Sequence, residues 1–258
     1  MPELAVAARM REGGAADADV RRFLTFVAAM DRAREADRLW FAAERLWERD
    51  PWVFEPVSVA AATLTELADA LRRDGVSQRH GPDTFAWRTI AESLCDEATP
   101  PTVREAIYGG TGTVARLLDA LSASTAAGSY RFPFLRGPKV GPMLIRMLVL
   151  PGSASITGLE ELPVAVDVQV RKVTEYLGFT ATSGLDLEQA RPVIQRGWSA
   201  DVAAHGATGP AELDGTCAAL DPALWFWGKW GCTRCEQAGR PLPISPICDE
   251  CILHRDRR

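Results

Sequence analysis

The chain contains no apolar run long enough to cross a membrane, which takes about 18 consecutive residues. It also lacks the hydrophobic core of a secretory signal peptide, because residues 1–20 are small, polar and charged. These two absences exclude a membrane-spanning protein and predict a soluble protein of the reducing cytosol. The sequence has neither a low-complexity tract nor a repeat of about 20 to 50 residues, which argues against repeat architectures.

Sustained alternation of apolar and polar residues is scarce, and this scarcity argues against a sheet-rich fold. Apolar residues instead recur at helical spacing, as in Leu64, Leu67, Ala68 and Leu71 and again in Val170, Val173 and Leu177. With 258 residues, of which 47% are hydrophobic, the chain can bury a sizeable core in one large domain or two small lobes. The pattern predicts an all-α fold with few or no strands.

Glycine and proline residues divide the expected helices into segments. Residues 1–16 are small and polar, which predicts a frayed start. A long amphipathic helix is expected over residues 17–47, with a break near Asp31 and an end at Asp50-Pro51. Further breaks are expected at Gly81-Pro82, Thr99-Pro100-Pro101, Gly109-Gly110, Pro151-Gly152 and 206–210.

The formal net charge of -5 argues against a protein that binds nucleic acid through its overall charge. The basic residues are unevenly distributed, however, because residues 130–150 carry Arg131, Arg136, Lys139 and Arg146 and no acidic residue. This segment is the best candidate for contacting phosphate groups. The alternative is a solvated helix face with ordinary surface charges.

Four of the cysteines stand at the spacing of a metal site: Cys232, Cys235, Cys248 and Cys251 form a C-x2-C-x12-C-x2-C pattern. Four thiolates at this spacing can converge on Zn2+ or on an iron-sulfur cluster. Two disulfides are the alternative, which a reducing compartment disfavours. The remaining pair, Cys95 and Cys217, are expected to be small buried residues, and His80, His205 and His254 show no ligand spacing with one another.

A Gly/Pro turn lies within the basic segment, at Lys139-Val140-Gly141. We expect a helix to end before this turn and an apolar helix to begin near Pro142, with Gly141 able to adopt a positive φ. The free amides of such a turn can hold a phosphate oxygen at the helix N-terminus. A purely structural turn is the alternative, because any helical hairpin needs one.

Asp167 stands where the N-cap of a further helix belongs, and capping is the ordinary role of such a residue. Its neighbours on both sides are apolar. A carboxylate held at the mouth of an apolar cleft is suited to act on a developing positive charge. Asp167 is therefore a candidate catalytic residue as well as a cap.

The order of these features resembles that of the helix-hairpin-helix DNA glycosylases of base excision repair, with endonuclease III-like members the most similar. The segment LPVAVDVQVRKVTEYLG, residues 162–178, is similar to the family's Val-Asp-x-His-Val-x-Arg-Val stretch, with Gln169 at the usual His. The tail ALWFWGKWGC...PICDECIL resembles the family's iron-sulfur loop, C-x6-C-x2-C-x5-C. Cys248 and Cys251 match its internal pair, so Cys232 and Cys235 would supply the other two ligands. The resemblance covers residues 57–258.

The resemblance implies a bilobed helical enzyme that flips a damaged or modified base out of double-stranded DNA and hydrolyses its N-glycosidic bond. It implies Asp167 as the catalytic carboxylate and an Fe4S4 cluster, with Zn2+ as the alternative, on the four cysteines. DNA contacts are expected from Lys139, Val140, Gly141, Gln78 and Arg171. Gln78 matches the family's loop residue that enters the gap left by the flipped base.

The family's strand-cleaving members use a lysine just past the second hairpin glycine, where this chain has Met143. The resemblance therefore implies a monofunctional glycosylase, with Lys139 as the rival nucleophile for AP-lyase activity. The expected domains are an N-terminal helical extension at 1–56, the glycosylase domain at 57–224 and the four-cysteine cluster or zinc loop at 225–258. A monomer is expected. The alternative function is that of a non-catalytic helix-hairpin-helix and zinc-ribbon DNA-binding protein.

Overall fold

The structure is a computed structural model that describes residues 1–125, 127–179, 182 and 184–231. These residues form twelve α-helices and two strands of three residues each, which confirms the all-α prediction. None of their helices is both long and apolar enough to span a bilayer. The chain divides into two compact units, Met1–Glu161 and Leu162–Arg258.

The first unit contains nine of the described helices. They are α1 (Pro2–Glu12), α2 (Asp17–Met30), α3 (Ala36–Arg49), α4 (Pro56–Ala61), α5 (Leu64–Arg73), α6 (His80–Cys95), α7 (Pro101–Arg104), α8 (Val114–Ser122) and α9 (Val140–Val149). Two parallel strands, β1 (Thr111–Thr113) and β2 (Ser155–Thr157), pair with Thr111 opposite Ser155. The break near Asp31 is confirmed, because α2 ends at Met30 and α3 begins at Ala36. The expected break at Gly81-Pro82 is wrong, since both residues lie in the first turn of α6, where proline is tolerated.

Helix α2 forms the centre of the first unit. All its residues from 20 to 30 are buried, as expected of a helix that is surrounded by other elements. Its Phe26 stacks on Trp87 with ring centroids 4.9 Å apart, and its Phe23 lies 5.1 Å from Phe54. The Trp87 indole, fully buried, donates to the Val53 carbonyl at 2.7 Å, which satisfies its polar group inside the core.

The first residues of the chain are part of this core, so the expected frayed start is wrong. Glu3 on α1 is only 2% exposed, and its carboxylate accepts from Arg146 on α9 at 2.8 Å. Arg146 is equally buried. A buried carboxylate requires such a partner, and the partner lies 143 residues further along the chain. Residues 1–56, which the sequence predicts to form an N-terminal helical extension, lie within the first unit.

The second unit contains α10 (Val168–Tyr176), α11 (Leu187–His205) and α12 (Cys217–Phe226), followed by a wide helical turn at Trp227–Gly231. Its core is built from buried apolar residues of all three helices, among them Val170, Val173, Ile194, Trp198 and Leu224. Helix α11 begins with a capping box, in which Asp186 Oδ1 accepts from the Gln189 amide at 2.9 Å. The border between the units falls after Glu161, whereas the predicted domain borders were at 56 and 224.

Candidate nucleic-acid interface and candidate catalytic carboxylate

Asp167 is the N-cap of α10, as its position in the sequence predicts. Its Oδ1 accepts from the amides of Gln169 at 2.8 Å and Val170 at 3.0 Å, and the residue is partly exposed. Both hydrogen bonds use the same carboxylate oxygen, which is the geometry of an ordinary cap. Asparagine has an equivalent oxygen, so the cap alone does not require a charged residue here.

Residues 162–166, which lead into Asp167, belong to neither a helix nor a strand of the described chain. Val164 and Val166 are fully buried. Buried backbone groups need partners, and a segment without a sheet must find them elsewhere. Within the segment the Val166 amide donates to the Val164 carbonyl at 3.0 Å, and side chains supply further hydrogen bonds to its backbone.

Three side chains, which we call the backbone clamps, hold this segment. Gln195 Nε2 donates to the Val164 carbonyl at 3.0 Å, Asp221 Oδ1 accepts from the Ala165 amide at 2.9 Å, and Arg191 Nε donates to the Val166 carbonyl at 3.2 Å. Arg191 and Gln195 lie on one face of α11, because they are four residues apart. Asp221 comes from α12 and is only 5% exposed. The carboxylate of Asp167 thus follows directly on a segment that is hydrogen-bonded at three consecutive residues.

Two neighbours of Asp167 on α10 have local partners. Arg171, a predicted DNA contact, pairs with Glu175 one turn later, with Nε and Oε1 2.8 Å apart. Gln169, at the family's histidine position, lies against Gly228: a Cβ on Gly228 would stand 2.4 Å from the Gln169 carbonyl oxygen. Only glycine fits this contact, which packs the turn at Trp227–Gly231 onto the first turn of α10.

The Lys139 turn, defined as residues 135–141, differs from the expected helical hairpin. Residues 131–139 form turns and bends, so no helix of the described chain leads directly into α9. Gly141 lies inside the first turn of α9 rather than at positive φ, and its amide donates to the Gly137 carbonyl at 2.9 Å. Pro142 has no amide hydrogen, and the Met143 amide donates to the Lys139 carbonyl. Of the expected phosphate-holding amides, those of Gly141 and Met143 are thus already used inside the protein.

Lys139 itself has a carboxylate neighbour. Its Nζ lies 3.3 Å from Asp31 Oδ2, and the side chain is partly buried. Val140, the third predicted contact of this turn, is only 7% exposed. The exposed members of the segment are Arg136 and Pro138, so Arg136 is the more accessible cation of the turn.

The Gln78 loop, defined as residues 75–79, connects α5 to α6 and exposes the Gln78 and Arg79 side chains. Asp83 Oδ2 holds it from the first turn of α6 by accepting from the Gln78 amide at 2.9 Å and the Arg79 amide at 2.8 Å. Arg34 holds its other end through the carbonyls of Val76, at 2.6 Å, and Gly75, at 2.9 Å. The backbone is therefore fixed, while the side chains at its tip face solvent.

Asp31 and Arg32, which lie between α2 and α3 and which we call the link, connect two parts of the first unit. One is Asp83, which holds the Gln78 loop, and the other is the Lys139 turn with its neighbour Phe134. Arg32 donates to Asp83 Oδ1 at 2.7 Å, and its guanidinium lies 3.3 Å above the ring centroid of Phe134, next to the Lys139 turn. Asp31, its neighbour in the chain, pairs with Lys139. Sequence analysis missed Arg32 and Asp83; the only sequence signal was the acidic residue in the first turn of α6. Two segments separated by about 60 residues are thus connected through one short link.

Positive charge is exposed in both segments. Burial lowers the pKa of the Arg32 guanidinium. The negative charge of Asp83 raises this pKa, and the positive charge of Arg79 lowers it further. Arg136 stacks on the Tyr130 ring at 3.6 Å from its centroid. Neither Arg79 nor Arg136 forms an ion pair within the described part of the chain. Exposed arginine side chains can contact DNA phosphates. A guanidinium that lies on an aromatic ring, as in Arg136, can also contact the adjacent bases.

The four cysteines of the predicted metal site, Cys232, Cys235, Cys248 and Cys251, lie outside the described residues. Within the described residues, no group of three or more potential ligands could hold a metal ion. Cys217 is buried as expected, and burial raises the pKa of its thiol. Cys95 is exposed, which contradicts its expected burial, because it ends α6 at the surface.

No protein-family model, curated protein or solved structure matches the chain.

Proposed function

We propose that the protein is a monofunctional DNA glycosylase of the helix-hairpin-helix superfamily that removes a damaged or modified base from double-stranded DNA. The observation that carries this proposal is the link at Asp31 and Arg32. This link connects the Gln78 loop with the Lys139 turn. The family resemblance assigns each of these segments to DNA contact, and it does so from two different sequence motifs. Fold alone would not require these two segments to meet.

In the proposed complex, Arg136, the exposed cation of the Lys139 turn, contacts the phosphate backbone. Such contacts position the protein on the duplex without reading its sequence. The fixed backbone of the Gln78 loop presents a polar side chain of suitable length to occupy the gap that a flipped nucleotide leaves. The local pairing of Arg171 with Glu175 leaves its role in DNA binding secondary, because that contact would have to compete with the ion pair.

Asp167 supplies the chemistry in this proposal. The bond between base and C1′ breaks with its electron pair leaving on the base, the sugar becomes oxocarbenium-like, and water adds at C1′. A fixed carboxylate stabilises the cationic sugar or accepts the proton of the attacking water. The two cap hydrogen bonds to Oδ1 hold the carboxylate in place at the start of α10.

The competing function is DNA binding without catalysis, which the cap geometry of Asp167 favours. Duplexes that contain uracil, hypoxanthine, an alkylated base or an oxidised base separate the two. We expect base release from at least one modified duplex and none from the unmodified duplex of the same sequence. Binding to every duplex with no release from any member of the panel would establish the non-catalytic alternative.

We expect borohydride to trap little or no covalent protein-DNA adduct during turnover. Met143 cannot form a Schiff base, and Lys139 is held in an ion pair with Asp31, whereas attack at C1′ needs an uncharged amine. The measurement is the fraction of protein that migrates as an adduct on a denaturing gel. Strong trapping in wild type that disappears in Lys139→Ala would show a bifunctional enzyme.

We further propose that Cys232, Cys235, Cys248 and Cys251 hold an Fe4S4 cluster, a proposal that rests on their spacing and on the family resemblance. The aerobically purified protein is expected to be yellow-brown, with broad absorption at about 400 nm. Cys248→Ala is expected to remove this absorption. Cys95→Ala is the control and should keep the colour. A colourless protein that contains one zinc per chain would assign the site to Zn2+ instead.

A further inference from the structure

We propose that Asp221 is a positioning residue for the Asp167 carboxylate, acting through the Ala165 amide, with Arg191 and Gln195 as its partners. This inference rests on the proposed glycosylase function and adds residues that neither the sequence motifs nor the family resemblance identified. None of the three carries the chemistry. Each acts through the backbone that leads into Asp167.

The geometry of the segment favours a positioning role. Asp167 has φ of -122° and ψ of -168°, so its carboxylate projects from extended backbone and not from a helical turn. The cap fixes the carboxylate relative to α10, and the backbone clamps fix the chain that enters α10. With both in place, rotation of the peptide between Val166 and Asp167 is restricted on each side. A misplacement of about 1 Å at a reacting group can lower a rate about 100-fold.

The backbone clamps also include charged side chains, which packing of a core does not require. Asp221 is 5% exposed and Arg191 is 7% exposed, whereas the other buried polar residues described in this unit are uncharged threonines. Burying ionised side chains is unfavourable unless they are well bonded, and apolar residues would fill the same space more favourably. Their hydrogen bonds converge on three consecutive residues, and those three residues immediately precede the candidate catalytic carboxylate. Support of this kind is what a precisely oriented reacting group needs.

The test compares variants by single-turnover base release at saturating protein, by duplex affinity, and by hydrogen exchange of the Ala165 amide. Asp221→Ala removes the acceptor, whereas Asp221→Asn keeps an oxygen at the same place. Gln195→Met removes the donor to the Val164 carbonyl at nearly constant length and serves if Asp221→Ala does not fold. Thr174→Val is the matched control, because it removes the buried Trp198 hydrogen bond to α10, 3.0 Å long, without touching the clamped segment.

We expect Asp221→Ala and Gln195→Met each to lower the single-turnover rate at least about tenfold, with duplex affinity changed less than about twofold. Asp221→Ala should also lose protection of the Ala165 amide. Asp221→Asn should recover the rate to within about threefold of wild type, and Thr174→Val should keep the rate while losing thermal stability.

The inference fails if Asp221→Ala or Gln195→Met folds and retains the wild-type rate, if Asp221→Asn is as slow as Asp221→Ala, or if Thr174→Val slows base release equally. Absence of base release by the wild-type protein is a different result, because it rejects the proposed function itself. In that case the exchange of the Ala165 amide still shows whether Asp221 holds the segment.

Discussion

Asp167→Asn is expected to lower single-turnover base release by about 100-fold or more while duplex affinity stays near that of wild type. The physical reason is that the cap needs only an acceptor oxygen, whereas the proposed reaction needs the negative charge. The amide oxygen of asparagine replaces Oδ1 as acceptor for the Gln169 and Val170 amides, and asparagine caps helices as well as aspartate does. The negative charge that would stabilise a cationic sugar is lost.

The matched control is Asp186→Asn, the same substitution at the N-cap of α11 in the same unit. Its cap accepts from the Gln189 amide at 2.9 Å and has no role in the proposed reaction. We expect this variant to release base at the wild-type rate. If Asp167→Asn keeps more than about a tenth of wild-type turnover, Asp167 is a structural cap and the proposed mechanism is wrong.

Glu3→Ala is expected to lower the free energy of unfolding of the first unit by about 3 to 5 kcal/mol. The substitution removes the 2.8 Å ion pair between this carboxylate and Arg146, and both side chains are almost fully buried. Water does not reach the site, so it cannot replace the lost partner as it does at the surface. Urea unfolding followed by tryptophan fluorescence measures the change, because α2 and its neighbours bury Trp87 and Trp40 beside the same core.

Arg9→Ala is the control for this experiment. It also removes an ion pair of α1, the one between Arg9 and Glu44, but the Arg9 side chain is 46% exposed. Pairs with an exposed partner contribute little, and water still reaches part of the remaining Glu44 side chain, which is 14% exposed. Equal losses of unfolding free energy in the two variants would show that α1 acts as a single packed helix. Burial of the Glu3 charge would then add nothing to the effect of losing an ion pair of α1.

Features set by short stretches of sequence were predictable. The N-cap at Asp167 follows from an aspartate that precedes a helical apolar stripe, and the break near Asp31 separates two helices as expected. The all-α class follows from the same periodicity. In each of these cases the residues that determine the structure lie within one or two helical turns of one another, so a single sequence carries the necessary information.

Features that depend on distant partners were not predictable. Residues 1–16 are mostly small and polar, yet α1 belongs to the core because it buries Val6, Ala7 and Met10 and pairs Glu3 with the distant Arg146. Gly141 can adopt positive φ in principle, but it lies in the first turn of α9, where an added Cβ would stand 3.3 Å from the Leu135 carbonyl oxygen. Arg32 and Asp221 carried no motif at all. Their roles arise from hydrogen bonds to groups that the folded chain brings near them.

The ion pair of Glu3 with Arg146 also constrains the order of events during synthesis. Helix α1 leaves the ribosome 143 residues ahead of its partner, which at about 5 to 20 residues per second is a delay of roughly 7 to 30 s. During that time Glu3 has no access to Arg146, and α2 cannot be enclosed on the side that α9 covers. The nascent chain therefore has to keep a central apolar helix incompletely covered until α9 has emerged, which makes this interval the one in which chaperone binding would protect it.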